Sequence, residues 1–206
     1  MKLTLFQIER LEAFLTKTQG EAYPEVPSPI HIDLTRQAIE GALKIKALDG
    51  AALVLDVGCG QGLALEIFMN KGIPAVGITV NEEDLAICQN EGYWARLMDQ
   101  SFLDFEGSAF SLIWCRHCLE HSPFSLFTLL EFNRVLKSDG LLYVEVPAPD
   151  TDCQHQTNPN HYSVFGHSLW IETFKKAGFI VLDAIKIDLK TKAGPDIYWA
   201  FYLKKT

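Results

Sequence analysis

Residues 54–62, with the sequence VLDVGCGQG, decide the fold expected for this 206-residue chain. The segment begins as an apolar run typical of a buried strand, and Asp56 places a carboxylate near its end. Three glycines follow at alternate positions, and the residues after Gly62 have the apolar spacing of a helix. A strand, a glycine turn and a helix form half of a nucleotide-type binding unit, in which glycine lets backbone N–H groups approach a ligand closely.

The spacing of the glycines narrows the class of ligand. Dinucleotide-binding loops follow the pattern G-x-G-x-x-G, whereas here the glycines are Gly58, Gly60 and Gly62, and position 63 is leucine. The phosphate-binding pattern G-x-x-x-x-G-K-S/T is also absent from this segment. We interpret the loop as a site for an adenosine-like ligand without a phosphate, with a tight structural turn as the alternative.

The composition favours one globular domain in a reducing compartment. Apolar residues make up 48% of the chain, and the net charge of −8 without a strong basic run disfavours a nucleic-acid partner. The five cysteines are an odd number without a framework spacing, and no signal peptide or apolar run of transmembrane length is visible. We therefore expect a cytoplasmic protein without a membrane partner.

Strand and helix patterns alternate along most of the chain. Strands are expected at residues 53–57, 75–79, 94–98, 110–114, 141–146, 179–188 and 197–203. Helices are expected at 3–18, about 33–46, 62–71, 82–91, 125–137 and 168–177, the last with Ser168 as its N-cap. This order predicts an α/β fold with a Rossmann-like, mostly parallel seven-stranded sheet, helices on both faces and a C-terminal antiparallel hairpin strand. The ligand of such a sheet lies beyond the carboxyl ends of the strands.

Five segments at these strand ends resemble, in order and spacing, the class I S-adenosylmethionine (SAM)-dependent methyltransferases. They are VLDVGCGQG, VGITVNEEDL, LMDQSFLDF, FSLIWCRHCLEHSP and LLEFNRVLKSDGLLYVEVP. The later segment HYSVFGHSLWIETFKKAGF is similar to the lid loop and helix of members that act on small molecules. The resemblance covers about residues 33–203. It implies an enzyme that transfers a methyl group from SAM, its cofactor, to a small-molecule acceptor.

The resemblance also implies which residues bind SAM. These are Asp56, Gly58, Cys59 and Gly60 at the methionine end, Gly62 beside the helix, Thr79, Val80 and Asn81 near the ribose, Asp99, Gln100 and Ser101 at the adenine, and Cys115 and Arg116 through their backbone. One position departs from the family. Thr79 stands where most members have an acidic residue that binds the ribose hydroxyls, and Asn81 or Glu82 could take over that role.

The residues after the fourth strand contain the candidate bases. Methyl transfer needs mainly alignment of the reacting groups, and a base only where the acceptor must lose a proton. His117 and His121 are the candidates for that base, although His121 and Glu120 could instead support the loop. Cys115 and Cys118 form a C-x-x-C pattern, but there is no second one and Cys118 is expected to face away from Cys115. We therefore expect no metal.

The two ends of the chain offer candidate lids. Residues 1–32, a helix and a proline-rich loop with Tyr23, are expected to cover a methyltransferase domain at residues 33–206. The long segment from Pro147 to Ser168 is a second candidate, or else its side chains lie on the surface without a role. Its candidate lid residues are His155, His161, Tyr162 and His167. The tryptophans at positions 94, 170 and 199 are expected to serve packing.

Two other functions stay open. A tRNA or protein methyltransferase would also fit the motifs. The net negative charge of the chain and the lack of a separate substrate-binding domain argue against this function. A SAM-binding module without turnover would also fit them. The glycine spacing disfavours a binder of nicotinamide cofactors.

Overall fold

A computed structural model describes residues 2–19 and 28–206, and within these ranges the chain forms a seven-stranded sheet with six α-helices. The strands are β1 (Val54–Val57), β2 (Ala75–Thr79), β3 (Ala95–Leu97), β4 (Phe110–Arg116), β5 (Leu136–Pro147), β6 (Phe179–Lys190) and β7 (Pro195–Lys205). The helices are α1 (Leu5–Gln19), α2 (Pro29–Ile45), α3 (Leu63–Asn70), α4 (Glu82–Asn90), α5 (Ser125–Val135) and α6 (His167–Lys176).

The sheet has the predicted topology. Its strand order is β3-β2-β1-β4-β5-β7-β6, in which β1 to β5 are parallel and β7 is antiparallel to both of its neighbours. Alternate residues of each strand face opposite sides. Leu55 and Ile113 pack toward α5 and α6, whereas Val54 and Trp114 pack toward α2 and α3. Helices therefore cover both faces, and this explains why the central strands are almost continuously apolar.

Two helix starts differ from the sequence prediction. Helix α2 begins at Pro29, four residues before the expected Asp33, because the Ser28 hydroxyl accepts a hydrogen bond from the His31 N–H (3.4 Å) and proline suits the first helical position. The prediction that Ser168 caps α6 is wrong. That helix begins at His167, and Gly166 precedes it in extended backbone without a side-chain cap.

The C-terminal half of the sheet is longer than the apolar pattern indicated. Strand β5 begins directly after α5, because Leu136 already pairs with Phe110 of β4. Strands β6 and β7 continue as a hairpin to a tight turn in which the backbones of Thr191 and Gly194 bond to each other. The expected hairpin is confirmed, and its strands extend well beyond the apolar core.

Helix α1 lies on the outside of the domain. It has no buried residue, and Leu5 is 72% exposed. The Phe14 ring contacts Phe124 at a centroid distance of 5.7 Å. Trp94, which was expected to pack, is 51% exposed and lies beside Arg96 instead, whereas Trp170 is fully buried. Among the described helices, none combines the length and the hydropathy that a membrane crossing requires.

Two phenylalanines of α5 test the packing. Phe132 is fully buried, whereas Phe127 on the same helix is 45% exposed. We expect Phe132→Ala to lower the free energy of unfolding by about 3–5 kcal/mol, because it removes a buried ring and leaves a cavity. Phe127→Ala should change it by less than about 1 kcal/mol. Urea denaturation measures both values, and equal losses would contradict this packing.

Candidate active site

The carboxyl ends of the parallel strands border one cleft. It is lined by every predicted cofactor residue except Gly62 and Cys115, and by both candidate bases, His117 and His121. Helices α1 and α2 also reach this cleft. The lining residues that the motifs did not predict include Gln19, His31, Thr35, Gln61, Asp84, Met98 and Trp114.

The glycine loop leaves open space at the centre of the cleft. Gly58, Gly60 and Gly62 all have positive φ (70°, 50° and 90°), and the N–H groups of Gly58 and Cys59 donate to the Ile78 carbonyl. A Cβ on Gly60 would meet nothing within 4 Å, so a ligand can come close to this backbone. A Cβ on Gly62 would lie 2.6 Å from the Tyr93 ring. Gly62 thus permits close packing and does not line the cleft.

Asp56 is a buried carboxylate with an unpartnered oxygen. The residue lies between Gly77 of β2 and Trp114 of β4 in the sheet register and is 3% exposed. Its Oδ2 makes no hydrogen bond to any described residue. Burial disfavours the charged form and raises the pKa of Asp56 to about 7. Buried polar groups in native proteins are nearly always bonded, so this oxygen, in a residue that lines the cleft, fits a site for a polar ligand.

Three further residues lining the cleft carry a buried polar atom that makes no hydrogen bond to any described residue. These atoms are Asp84 Oδ1, Gln100 Oε1 and Arg116 Nε. The Gln100 side chain is nevertheless fixed, because its Nε2 donates to the Cys118 carbonyl (2.9 Å). The cleft thus presents donors and acceptors on several sides, as a polar nucleoside requires.

Asp99 is held in place at the predicted adenine end. Its Oδ1 accepts a hydrogen bond from the Ser101 N–H (2.7 Å), and its Oδ2 accepts one from Gln19 Nε2 (3.2 Å). Gln19 is the last residue of α1, so this contact places the end of that helix over the site. The carboxylate expected at the adenine is therefore in contact with α1.

Asp84 is a ribose-side candidate that the sequence did not suggest. The Thr79 hydroxyl accepts from the Asn81 N–H (3.1 Å), and the Asn81 side chain caps α4 by accepting from the Asp84 N–H (3.0 Å). The polar side chains of Thr79 and Asn81, two of the residues expected near the ribose, thus have local partners. Glu82 is exposed, whereas Asp84 lines the cleft, and burial raises the pKa of its carboxyl.

His117, which lines the cleft, forms a dyad with Glu145 of β5. His117 Nε2 lies 2.7 Å from Glu145 Oε1, and Arg116 Nη2 lies 2.9 Å from the same oxygen. The Tyr143 hydroxyl donates to Glu145 Oε2. Burial alone would raise the pKa of Glu145, but these hydrogen bonds and the Arg116 charge hold it at about 2. Burial lowers the pKa of His117, although its bond to Glu145 opposes the shift. The dyad is therefore a neutral imidazole beside an ionised carboxylate.

The backbone at His117 holds the imidazole at the cleft. Its φ of 51° is unusual for a residue other than glycine, and such strain concentrates at functional sites. The ring stacks on Tyr198 at a centroid distance of 4.4 Å and meets the His31 ring edge-on at 5.4 Å. Glu145 was missed by the sequence analysis, and its signal was a carboxylate inside the apolar run LLYVEVP.

His121 and Glu120 support the long loop before α6. The Glu120 carbonyl accepts from the N–H groups of Tyr162 and Ser163, and His121 Nδ1 lies 3.0 Å from the Asn160 carbonyl. Asn160 and Tyr162 in turn line the cleft. This geometry fits the supporting role that the sequence left open for His121.

The prediction that Cys118 faces away from Cys115 is wrong. Cys115 is buried in the core, and the Cys118 thiol hydrogen-bonds to it, which raises the pKa of Cys118 together with its burial. Strand β4 runs on through Arg116, and the positive φ at His117 turns the chain back. All five cysteines are free.

The chain matches the methyltransferase domain family over residues 31–183 and therefore belongs to it. This confirms the resemblance to class I SAM-dependent methyltransferases. A ubiquinone biosynthesis O-methyltransferase of Actinobacillus pleuropneumoniae is 26% identical over 151 residues, which are 68% of this chain and 62% of that enzyme. The chain thus spans less than two thirds of that relative's length.

Solved structures confirm the fold. A Burkholderia thailandensis 1,6-didemethyltoxoflavin-N1-methyltransferase, solved with bound 1,6-didemethyltoxoflavin and S-adenosylhomocysteine, has a TM-score of 0.68 at 21% identity, over 85% of this chain and 78% of that one. The cyclase SpnF has the same TM-score at 20% identity, over 82% and 81%. Since one fold carries both activities, the residues of the site must define the reaction.

The Asp56 carboxylate leads to a test of pH dependence. Its pKa is about 7 in the folded protein and 3.8 for an ordinary aspartate, so the folded state binds more protons than the unfolded state between about pH 4 and pH 7. Wild-type stability should therefore fall across this range relative to Asp56→Asn, which cannot ionise. Without ligand, the unfolding free energy of the variant minus that of wild type should rise from about pH 4 to pH 7 and then level off. Urea denaturation at several pH values measures it, and a constant difference would contradict the burial of Asp56.

Proposed function

We propose that the protein transfers a methyl group from SAM to a small-molecule acceptor by in-line displacement. The observation that carries this proposal is the cleft itself, in which an open glycine loop lies beside a buried carboxylate oxygen that has no described partner. When bound, SAM supplies a methyl group already activated on a positively charged sulfur. The chain then has to bind, orient and exclude water, which can contribute about 7–11 kcal/mol.

The residues of the cleft fit SAM at three points. Asp56 and the loop at residues 58–60 would hold the methionine end, and Asp99 with Gln100 and Ser101 would hold the adenine. Asp84 would bind the ribose hydroxyls in place of the acidic residue absent at Thr79, because its Oδ1 is buried and has no described partner. Arg116 lines the cleft, whereas Cys115 supports it only from the core.

The dyad of His117 and Glu145 would act at the acceptor. Glu145 holds Nε2–H of the imidazole, so Nδ1 carries the lone pair that can accept a proton from the acceptor. Nδ1 makes no hydrogen bond to a described residue, and the lowered pKa of His117 keeps it unprotonated near neutral pH. His117 would be the catalytic base, and Glu145 a positioning residue.

Residues 1–32 would form a lid over the cofactor. Thr18 and Gln19 line the cleft, and Gln19 contacts Asp99. The rest of α1 buries no residue, as expected for an element that can move away. The proline-rich segment with Tyr23 lies mostly outside the described residues. The loop that holds Asn160 and Tyr162 would close the acceptor side.

A small acceptor fits the charge of the cleft better than a macromolecule. Among the described residues that line it, Arg116 is the only lysine or arginine, and it is paired with Glu145. A nucleic-acid backbone needs several such cations. Five free cysteines also support a reducing setting such as the cytoplasm.

Titration calorimetry with S-adenosylhomocysteine tests the cofactor site. Asp99→Ala should weaken binding about 10- to 100-fold, because a hydrogen bond to a charged group is lost. Gly60→Val should abolish binding, because a side chain enters the cleft. Gly92→Val is the matched control, since Gly92 also has a positive φ (79°) and open space at its Cβ but lies outside the cleft. Retained affinity in both cleft variants would place the cofactor elsewhere.

Measurement of methyl transfer tests the dyad of His117 and Glu145. It also distinguishes an enzyme from a protein that binds SAM without turnover. Purified protein with SAM and a panel of phenols, catechols, amines and thiols should form S-adenosylhomocysteine with at least one acceptor. On an acceptor that must lose a proton, His117→Gln should lower kcat about 10²- to 10⁴-fold with little change in cofactor affinity. Glu145→Gln should lower kcat less than His117→Gln does, and should shift the pH profile of kcat. The control His167→Gln should change neither kcat nor its pH profile. Full activity in His117→Gln would exclude His117 as the base.

A further inference from the structure

Outside the cleft, three side chains of different chemistry converge where the loop before α6 meets the C-terminal hairpin. They are Cys153 and His155 of the loop and Asp196 near the start of β7. One potential ligand atom of each, a sulfur, an imidazole nitrogen and a carboxylate oxygen, lies within 4.8 Å of the other two. None of the three lines the cleft.

Asp196 is the centre of this cluster. It is only 3% exposed, and His155 Nε2 lies 3.1 Å and 3.0 Å from its two oxygens. The Cys153 thiol is also within hydrogen-bonding range of Asp196 and lies 3.2 Å from the Thr191 hydroxyl. Ligands around a tetrahedral zinc ion lie about 3.2–3.8 Å apart, so the imidazole and the carboxylate need to separate by only a few tenths of an ångström to admit one.

The backbone directs the two loop ligands to the same point. Gln154, between Cys153 and His155, has a φ of 48°, in the left-handed region that residues other than glycine seldom adopt. The loop is also fixed to the hairpin, because the Asp152 N–H donates to the Pro195 carbonyl (3.3 Å). Such a conformation costs energy and persists where the surroundings hold it in place.

We propose that Cys153, His155 and Asp196 form a binding site for a divalent transition metal, preferentially Zn²⁺. A thiolate, an imidazole and a carboxylate together suit zinc, whereas Mg²⁺ and Ca²⁺ prefer oxygen ligands alone. On binding, the Cys153 thiol releases its proton to solvent and the sulfur donates its electron pair to the metal. His155 coordinates as a neutral ring. The charges of the thiolate and the carboxylate then balance the ion, and water completes the fourth position.

The metal would connect the loop before α6 to the hairpin beside the acceptor end of the cleft. The same loop continues to Asn160 and Tyr162, which line the cleft. The His155 ring contacts Tyr198 at 5.3 Å, and Tyr198 stacks on His117 at 4.4 Å. A structural metal here would therefore fix the loop and the ring against which His117 packs. The binding itself is independent of methyl transfer.

Cobalt spectroscopy on the full chain tests the site directly. Protein stripped of metal with a chelator is titrated with Co²⁺ under anaerobic conditions, and Zn²⁺ is then added. We expect one equivalent of Co²⁺ to give a thiolate-to-cobalt band in the near ultraviolet and tetrahedral bands in the visible. Zn²⁺ should displace the cobalt, with a dissociation constant of about micromolar or tighter.

Variants assign the ligands. Cys153→Ser should lose the near-ultraviolet band, and His155→Gln should weaken binding at least about tenfold. The controls Cys118→Ser and His167→Gln should leave both band and affinity unchanged, and circular dichroism checks that each variant is folded. The proposal is overturned if wild type gives no thiolate band or if the band survives in Cys153→Ser. It is also overturned if binding depends on His161 instead, because Glu120, His121 and His161 form the other cluster with ligand spacing among the described residues.

Discussion

Parallel strands end on the same edge of a sheet, and in this protein that edge exposes more polar groups than the described part of the chain satisfies. Strands β1, β2 and β4 bring Asp56, Thr79 and Arg116 to one cleft. Because both faces of the sheet are covered by helices, these side chains are cut off from bulk water on most sides. An unpartnered carboxylate in such a place is costly unless a ligand replaces the lost water. The binding site and the fold thus follow from the same arrangement of strands.

Two groups of residues at the cleft differ in their electrostatics. Asp56 and Asp84 have raised pKa values because burial disfavours their charge. Around His117 the charge is compensated internally, since His117 and Tyr143 hydrogen-bond to Glu145 and Arg116 forms an ion pair with it. The first arrangement suits a cationic sulfonium, and the second suits a neutral base that receives a proton. Helix α1 contacts the cleft through the hydrogen bond from Gln19 to Asp99.

The features that local sequence encodes were predicted well. The apolar runs of β1 to β4 and the glycine loop each depend on residues close together in the chain. The features that were missed depend on register and long-range packing. Glu145 meets His117 only because β4 and β5 align Arg116 opposite Glu145, and no motif records that alignment. Asp84 reaches the cleft because the Asn81 cap fixes where α4 begins. The prediction that Cys118 faces away from Cys115 was wrong because of the backbone at His117. Its φ is positive, which is rare for histidine, and it turns the chain back.

A crystal structure of the protein with S-adenosylhomocysteine tests the central claim most directly. We expect density along the open side of Gly60, with the adenine amino group at Asp99, the ribose hydroxyls at Asp84 and the sulfur facing the His117 side of the cleft. Density for the nucleoside at another edge of the sheet, or a cleft filled by the chain's own side chains, would contradict it.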